Sequence, residues 1–187
     1  MKHTAGTIAV GLVAGILAWG GNARGQSPLD SIVDKGKKEA GNVAVKKGKE
    51  AANKAVVDKV NAKLLAEGRK NQCSFKVDSD ELAPGCDAKA KKLANALIDA
   101  KKTLSTSGMT GWKFVVYGHT DSTGKPDHNK ELSQKRAAAI ARELVARGVP
   151  KDDIESVGMG AEQPLVKPDD TEAKRAKNRR YEIQVKI

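Results

Sequence analysis

Apolar positions recur in two distinct rhythms along the chain. From Ser27 to about Arg69, Ile32, Val33, Ala40, Val43, Ala44, Ala51, Ala55, Val56, Val60 and Leu64 follow helical spacing. Gly36, Gly41 and Gly48 each cost about 1 kcal/mol relative to alanine there. The pattern predicts a discontinuous amphipathic helix, firmest from Glu50 to Glu67. After Gly68 the texture changes: "CSFKVD" places Cys73, Phe75 and Val77 on one face of a strand. Helical spacing returns at Ala90, Leu93, Ala94, Leu97, Ile98 and Leu104 and stops at Ser107-Gly108. "WKFVVYG" is a continuous apolar run bounded by glycine, the mark of a strand buried on both faces at the centre of a sheet. A second helix follows in "NKELSQKRAAAIARELVARG", closed by Gly148, and a strand in "IESVGMG". A short helix is expected near Thr171 to Lys177. In "RYEIQVKI", Tyr181, Ile183, Val185 and Ile187 alternate with polar residues, as a half-buried strand does. The order βαβαβ plus a final strand predicts an α+β two-layer sandwich, a mixed four-stranded sheet with helices on one face, preceded by the helical segment.

The first 26 residues have another character. "MKHTAGTIAVGLVAGILAWGGNARGQ" has a short basic start, an apolar run from about Thr7 to Trp19, and small residues suited to a signal peptidase. The run falls short of the ~20 residues of a membrane-spanning helix, so cleavage is expected, after Ala23 or Gly25 with the former preferred. The expected organisation is a signal peptide over 1–23, a basic helical stalk over 24–70 and a folded domain over 71–187. Export means an oxidising compartment, where Cys73 and Cys86 are expected to pair. Their spacing and the scattered His3, His119 and His128 do not form a zinc site, and no cofactor is expected. The net charge of +11 is concentrated in the stalk, where residues 27–70 carry eleven Lys and Arg against six Asp and Glu. Such a segment is drawn to an anionic membrane surface, the cell wall or an envelope protein.

Two residues carry candidate chemistry. Asp121 directly follows the central strand, where ligands gather outside the carboxyl ends of strands, although an Asp in "TDSTG" also serves as a turn carboxylate. Arg136 lies ~40° around its helix from both Leu132 and Ile140, at i−4 and i+4, so its guanidinium emerges beside the packed face. A planar fork there suits a carboxylate.

"YGHTDSTG", "NKELSQKRA", "SVGMGAEQPL" and "AKNRRYEIQV", in this order, resemble the motifs of the OmpA-like peptidoglycan-binding domain over about Phe75 to Ile187. The family's outer-membrane barrel has no counterpart upstream; the basic segment stands in its place. The resemblance implies binding of the peptidoglycan stem peptide without cleavage, with meso-diaminopimelate as the contact, in the periplasm or at the outer membrane. Asp121 would receive the ammonium of its free end and Arg136 the carboxylate. Thr120, Asn129 and Leu132 match positions that line or shape the pocket, and Arg179, in "NRR", faces it or buttresses its loop. A structural role is expected for His119.

Other functions fit less well. Aspartic-protease chemistry needs two carboxylates sharing a proton, and only one "DSTG" turn exists; GxSxG and HExxH are absent. The protein is therefore expected not to be an enzyme. A flagellar-stator role would need an acidic residue within a membrane helix, and residues 4–21 hold none. Specific nucleic-acid binding lacks its stacking platforms, since the stalk has no aromatic residue. The alternative to wall binding as the main function is that the stalk carries the activity, with peptidoglycan as a tether only.

Overall fold

The structure, a computed structural model, describes residues 28–187; the expected signal peptide lies outside the described residues. Helix α1 (Pro28–Lys70) is followed by α2 (Cys86–Thr106), β1 (Lys113–His119), α3 (Pro126–Val145), β2 (Ile154–Gly158), α4 (Glu172–Asn178) and β3 (Arg180–Lys186). Helix α1 is continuous through Gly36, Gly41 and Gly48, where interruption was expected. Glycine weakens a helix by entropy but, unlike proline, keeps its N–H donor.

The compact unit Val45–Ile187 contains the sheet and the last turns of α1. Its strand order is β2-β1-β3, with β1 parallel to β2 and antiparallel to β3. The continuous apolar run is thus the central strand, and β3 alternates half-buried and buried residues as its sequence alternates. Phe114 and Val116 of β1 and Ile183 and Val185 of β3 enter a core shared with Leu93, Leu97 and Leu104 of α2, Ile140 and Leu144 of α3, and Val60 and Leu64 of α1. Tyr117, Val157, Glu182 and Gln184, on the opposite face by register, are only partly covered. Helix α3 meets the sheet closely because Gly118 and Gly158 carry no side chain. A Cβ on Gly118 would lie 2.2 Å from the Ser133 carbonyl oxygen, and one on Gly158 2.5 Å from the Gln134 nitrogen.

The sheet has three strands where four were expected. The segment from Cys73 does not join it but folds back on itself, with a single antiparallel bridge between Phe75 and Leu82 and backbone hydrogen bonds from Lys76 to Glu81 and from Ala83 to Ser74. Val77, expected to face inward with Cys73 and Phe75, is 97 % exposed. The reason lies at the outer edge of β3, whose backbone groups are already met by side-chain amides. Asn61 of α1 donates to the Val185 carbonyl at 3.4 Å and accepts from the Val185 N–H at 2.7 Å. Gln72 does the same for Tyr181, at 2.9 and 3.2 Å. Each amide supplies the donor and acceptor that a neighbouring strand would have offered. The Tyr181 hydroxyl donates to the Asn71 carbonyl at 2.7 Å and accepts from the Cys73 N–H. Cys73 and Cys86 form the expected disulfide, which closes the folded-back segment at the start of α2.

Candidate functional site

Strand β1 delivers Thr120 and Asp121 to the rim of the sheet. The β1–β2 pairing is prolonged there by hydrogen bonds from Met159 to the Gly118 carbonyl and from Thr120 to the Gly160 carbonyl. The chain then turns: Asp121 Oδ1 accepts from the Thr123 N–H at 3.1 Å and from the Thr123 hydroxyl, the local use of aspartate that the sequence allowed. Asn129, in the first turn of α3, donates to the carbonyls of Asp121 and Thr123 and pins the loop from the other side. Asp121 Oδ2 accepts from Arg179 Nη1 at 2.7 Å. Arg179 also pairs with Glu172, which in turn pairs with Arg175. Arg179 therefore buttresses the Asp121 carboxylate directly. Burial alone would raise the pKa of Asp121, which is only 6 % exposed, but the hydrogen bonds from Thr123 and Arg179 outweigh it and hold the carboxyl below its ordinary value. The group is an anion at neutral pH with one of its roughly four lone-pair sites unused.

Arg136 approaches from α3. Its Nε donates to the Ser79 carbonyl at 2.9 Å and its Nη2 to the Lys76 carbonyl at 3.3 Å, while its Cζ sits 5.1 Å from the centre of the Phe75 ring. The expected alternatives were an arginine extended into water or paired with Asp121; instead the folded-back segment holds it through backbone carbonyls and an aromatic face. Burial, opposed by nearby Asp78, lowers its pKa from a very high starting value, and the guanidinium stays charged. Its hydrogen bonds leave Nη1 for another acceptor.

Both charges line one cavity of about 760 Å³. All six residues singled out in the sequence, Thr120, Asp121, Asn129, Leu132, Arg136 and Arg179, line it. Sequence reasoning missed Phe75, Asp78, His128 and Glu172, which line it too. Asp78, in a left-handed conformation at φ 48°, accepts from the His128 Nε2–H at 2.8 Å and so links the folded-back segment to α3. Phe75, Asp78 and His128 reach the cavity through contacts between distant segments, which no local pattern marks, whereas Glu172 pairs with Arg175 and Arg179 nearby in the chain. His119 is 2 % exposed, and among the described residues neither ring nitrogen has a hydrogen-bond partner. Burial and the nearby Arg180 guanidinium lower its pKa to about 4, so the imidazole is neutral at pH 7. Among the described residues no three His, Cys, Asp or Glu side chains gather as a metal site.

The α+β frame and the order of its elements are those of a known class of domain. The chain belongs to the OmpA family, whose sequence model matches residues 74–179. It is similar to the peptidoglycan-associated lipoprotein of Pseudomonas aeruginosa, 36 % identical over 110 residues, which are 59 % of this chain and 59 % of that protein. It is also similar to the peptidoglycan-binding protein ArfA of Mycobacterium tuberculosis, 45 % identical over 73 residues, which are 39 % of this chain and 22 % of that protein. The chain thus spans less than two thirds of the length of these relatives. Among solved structures, the peptidoglycan-associated lipoprotein of Burkholderia pseudomallei superposes with a TM-score of 0.51 at 28 % identity, covering 62 % of this chain and 89 % of that one.

Proposed function

We propose that this protein binds peptidoglycan without cleaving it and so tethers the cell envelope to the wall, with the zwitterionic end of meso-diaminopimelate seated between Asp121 and Arg136. The observation that carries the reading is electrostatic. One cavity has a buried, ionised carboxylate with a lone pair unused and a guanidinium whose partners are neutral carbonyls. A carbon bearing both an ammonium and a carboxylate satisfies the two together, the first at Asp121 and the second bidentate or single at Arg136. A stem lysine supplies only the ammonium and leaves Arg136 without its anion, which disfavours it. Thr120, Asn129 and Leu132 complete the wall of the pocket, and Arg179 keeps the Asp121 carboxylate aimed. The names of the family relatives support the polymer as ligand, and the expected export supports a periplasmic location.

Sedimentation of the protein with purified diaminopimelate-type sacculi at near-physiological salt tests this reading. Wild type should sediment, while Asp121→Ala and Arg136→Ala, folded by circular dichroism, should remain in the supernatant. Retention by both variants would assign wall binding to the exposed Lys46, Lys47 and Lys49 of α1 and refute the pocket.

A further inference from the structure

The residues that line the cavity are not alone in holding its aspartate. Ser122, next to Asp121, donates its N–H to Asp169 Oδ2 at 2.9 Å and its hydroxyl to Asp169 Oδ1. Asp169 lies 47 residues further along, between β2 and α4, and is not among the cavity-lining residues. Asp169 Oδ2 also accepts from Asn178 Nδ2 at 3.1 Å. Asn178, the last residue of α4, is fully buried and uses its whole hydrogen-bonding capacity. Its Oδ1 accepts from the N–H groups of Leu165 and Val166, and its Nδ2 donates to the Val166 carbonyl as well as to Asp169. A buried amide with every group satisfied has one orientation, because any rotation would leave polar atoms unpaired at a cost. Asn178 immediately precedes Arg179, the residue that holds the other side of the Asp121 carboxylate.

We infer that Asp169, fixed by Asn178, is a positioning residue for ligand binding: it clamps the loop at Ser122 and thereby sets the direction of the Asp121 carboxylate without touching the ligand. The inference rests on the proposed pocket function for its binding consequence, and on hydrogen bonds alone for its effect on the loop. Asp169 accepts three hydrogen bonds, chiefly from the Ser122 hydroxyl and N–H and then from Asn178, and these push its carboxyl down to about 2. The clamp therefore stays intact at any pH where the protein is folded and the ligand zwitterionic.

The role is one of shape. An asparagine at 169 can keep all three contacts, with its oxygen in the place of Oδ2 and its amide donating to the Ser122 hydroxyl, which is able to accept. At Asp121, which must meet a cation, no such exchange is tolerated. Two measurements on the full chain test this. In the first, a diaminopimelate-containing muropeptide is titrated calorimetrically into wild type, Asp169→Ala, Asp169→Asn and Asp121→Asn. Asp169→Ala should weaken binding about tenfold, Asp169→Asn should stay within about twofold of wild type, and Asp121→Asn should weaken it most. In the second, the Ser122 and Thr123 amides are followed by hydrogen exchange without ligand, where Asp169→Ala should speed exchange about tenfold and Asp169→Asn should not. Wild-type affinity in Asp169→Ala, or equal losses in Asp169→Ala and Asp169→Asn, would overturn the inference. Unchanged exchange in Asp169→Ala would overturn it too, and this arm stands even if wild type ignores the muropeptide, the result that would defeat the pocket function itself. Should Asp169→Ala fail to fold, Ser122→Ala, which deletes one clamp bond only, replaces it in both measurements; wild-type behaviour there in both affinity and exchange would refute the clamp.

Discussion

The contact between α3 and the central strand makes Gly118→Ala the sharpest single test of the fold that carries the site. The added methyl would lie 2.2 Å from the Ser133 carbonyl oxygen, 3.0 Å from its carbonyl carbon and 3.3 Å from Ala137 Cβ. The first two are helix backbone, which cannot rotate away as a flexible side chain would, so α3 must retreat from the sheet by about 1 Å to restore van der Waals distance. Overpacking of a well-filled interior costs about 1–3 kcal/mol, and a backbone obstacle places this substitution at the upper end. The same retreat carries Asn129 and Arg136 away from Asp121, so affinity for the wall ligand should fall as well. Urea unfolding followed by circular dichroism should give a loss of about 3 kcal/mol with an unchanged slope. A loss below about 1 kcal/mol would mean that α3 does not sit on β1 as described, and the placement of Arg136 would fall with it.

Three further outcomes follow from packing and charge. Leu64 of α1 is fully buried in the shared core, so Leu64→Ala should destabilise Val45–Ile187 by about 2–5 kcal/mol in the same urea assay; a neutral result would detach α1 from the domain. Reduction of the Cys73–Cys86 bridge, which closes a loop with a sequence separation of 13, should cost about 3 kcal/mol and loosen the carbonyls that hold Arg136. Mass-verified reduction with unchanged stability would contradict this. His119 titrates near 4 when folded against 6.5 for its ordinary value, so the unfolded chain takes up the proton first and stability falls as pH drops from about 6.5 to about 4. The loss should total about 3 kcal/mol and vanish from the pH profile of His119→Gln, whereas an identical profile in that variant would place the proton uptake elsewhere.

Elements with long, regular patterns were legible in the sequence. The spacing of Leu93, Leu97 and Leu104 gave α2, the run Phe114 to Tyr117 gave the central strand, and the alternation from Tyr181 gave β3. The four motifs led to six residues that the fold brings to one cavity. The segment at Cys73 was misread because alternation reports only that a stretch can be extended. Whether it joins a sheet depends on whether an edge is free, and Asn61 and Gln72 already occupy the edge of β3. Neither amide carries any local sign of that role. The partners of Arg136 were hidden for a similar reason: backbone carbonyls at Lys76 and Ser79 have no residue type to recognise. Asn178 stood in the "NRR" motif beside Arg179, but its burial and four hydrogen bonds arise only when α4 packs on the loop before it.

In the proposed function the cavity reads an ammonium and a carboxylate on one carbon. Calorimetric titration of two synthetic stem peptides that differ only in diaminopimelate or lysine at the branching position tests it most directly, with wild type and Arg136→Ala side by side. A charge-assisted hydrogen bond contributes about 1.5–3 kcal/mol, so wild type should favour the diaminopimelate peptide by about 10- to 150-fold, and Arg136→Ala should bind the two alike. Equal affinity of wild type for both peptides, or a preference that survives in Arg136→Ala, would mean that Arg136 does not read the second carboxylate.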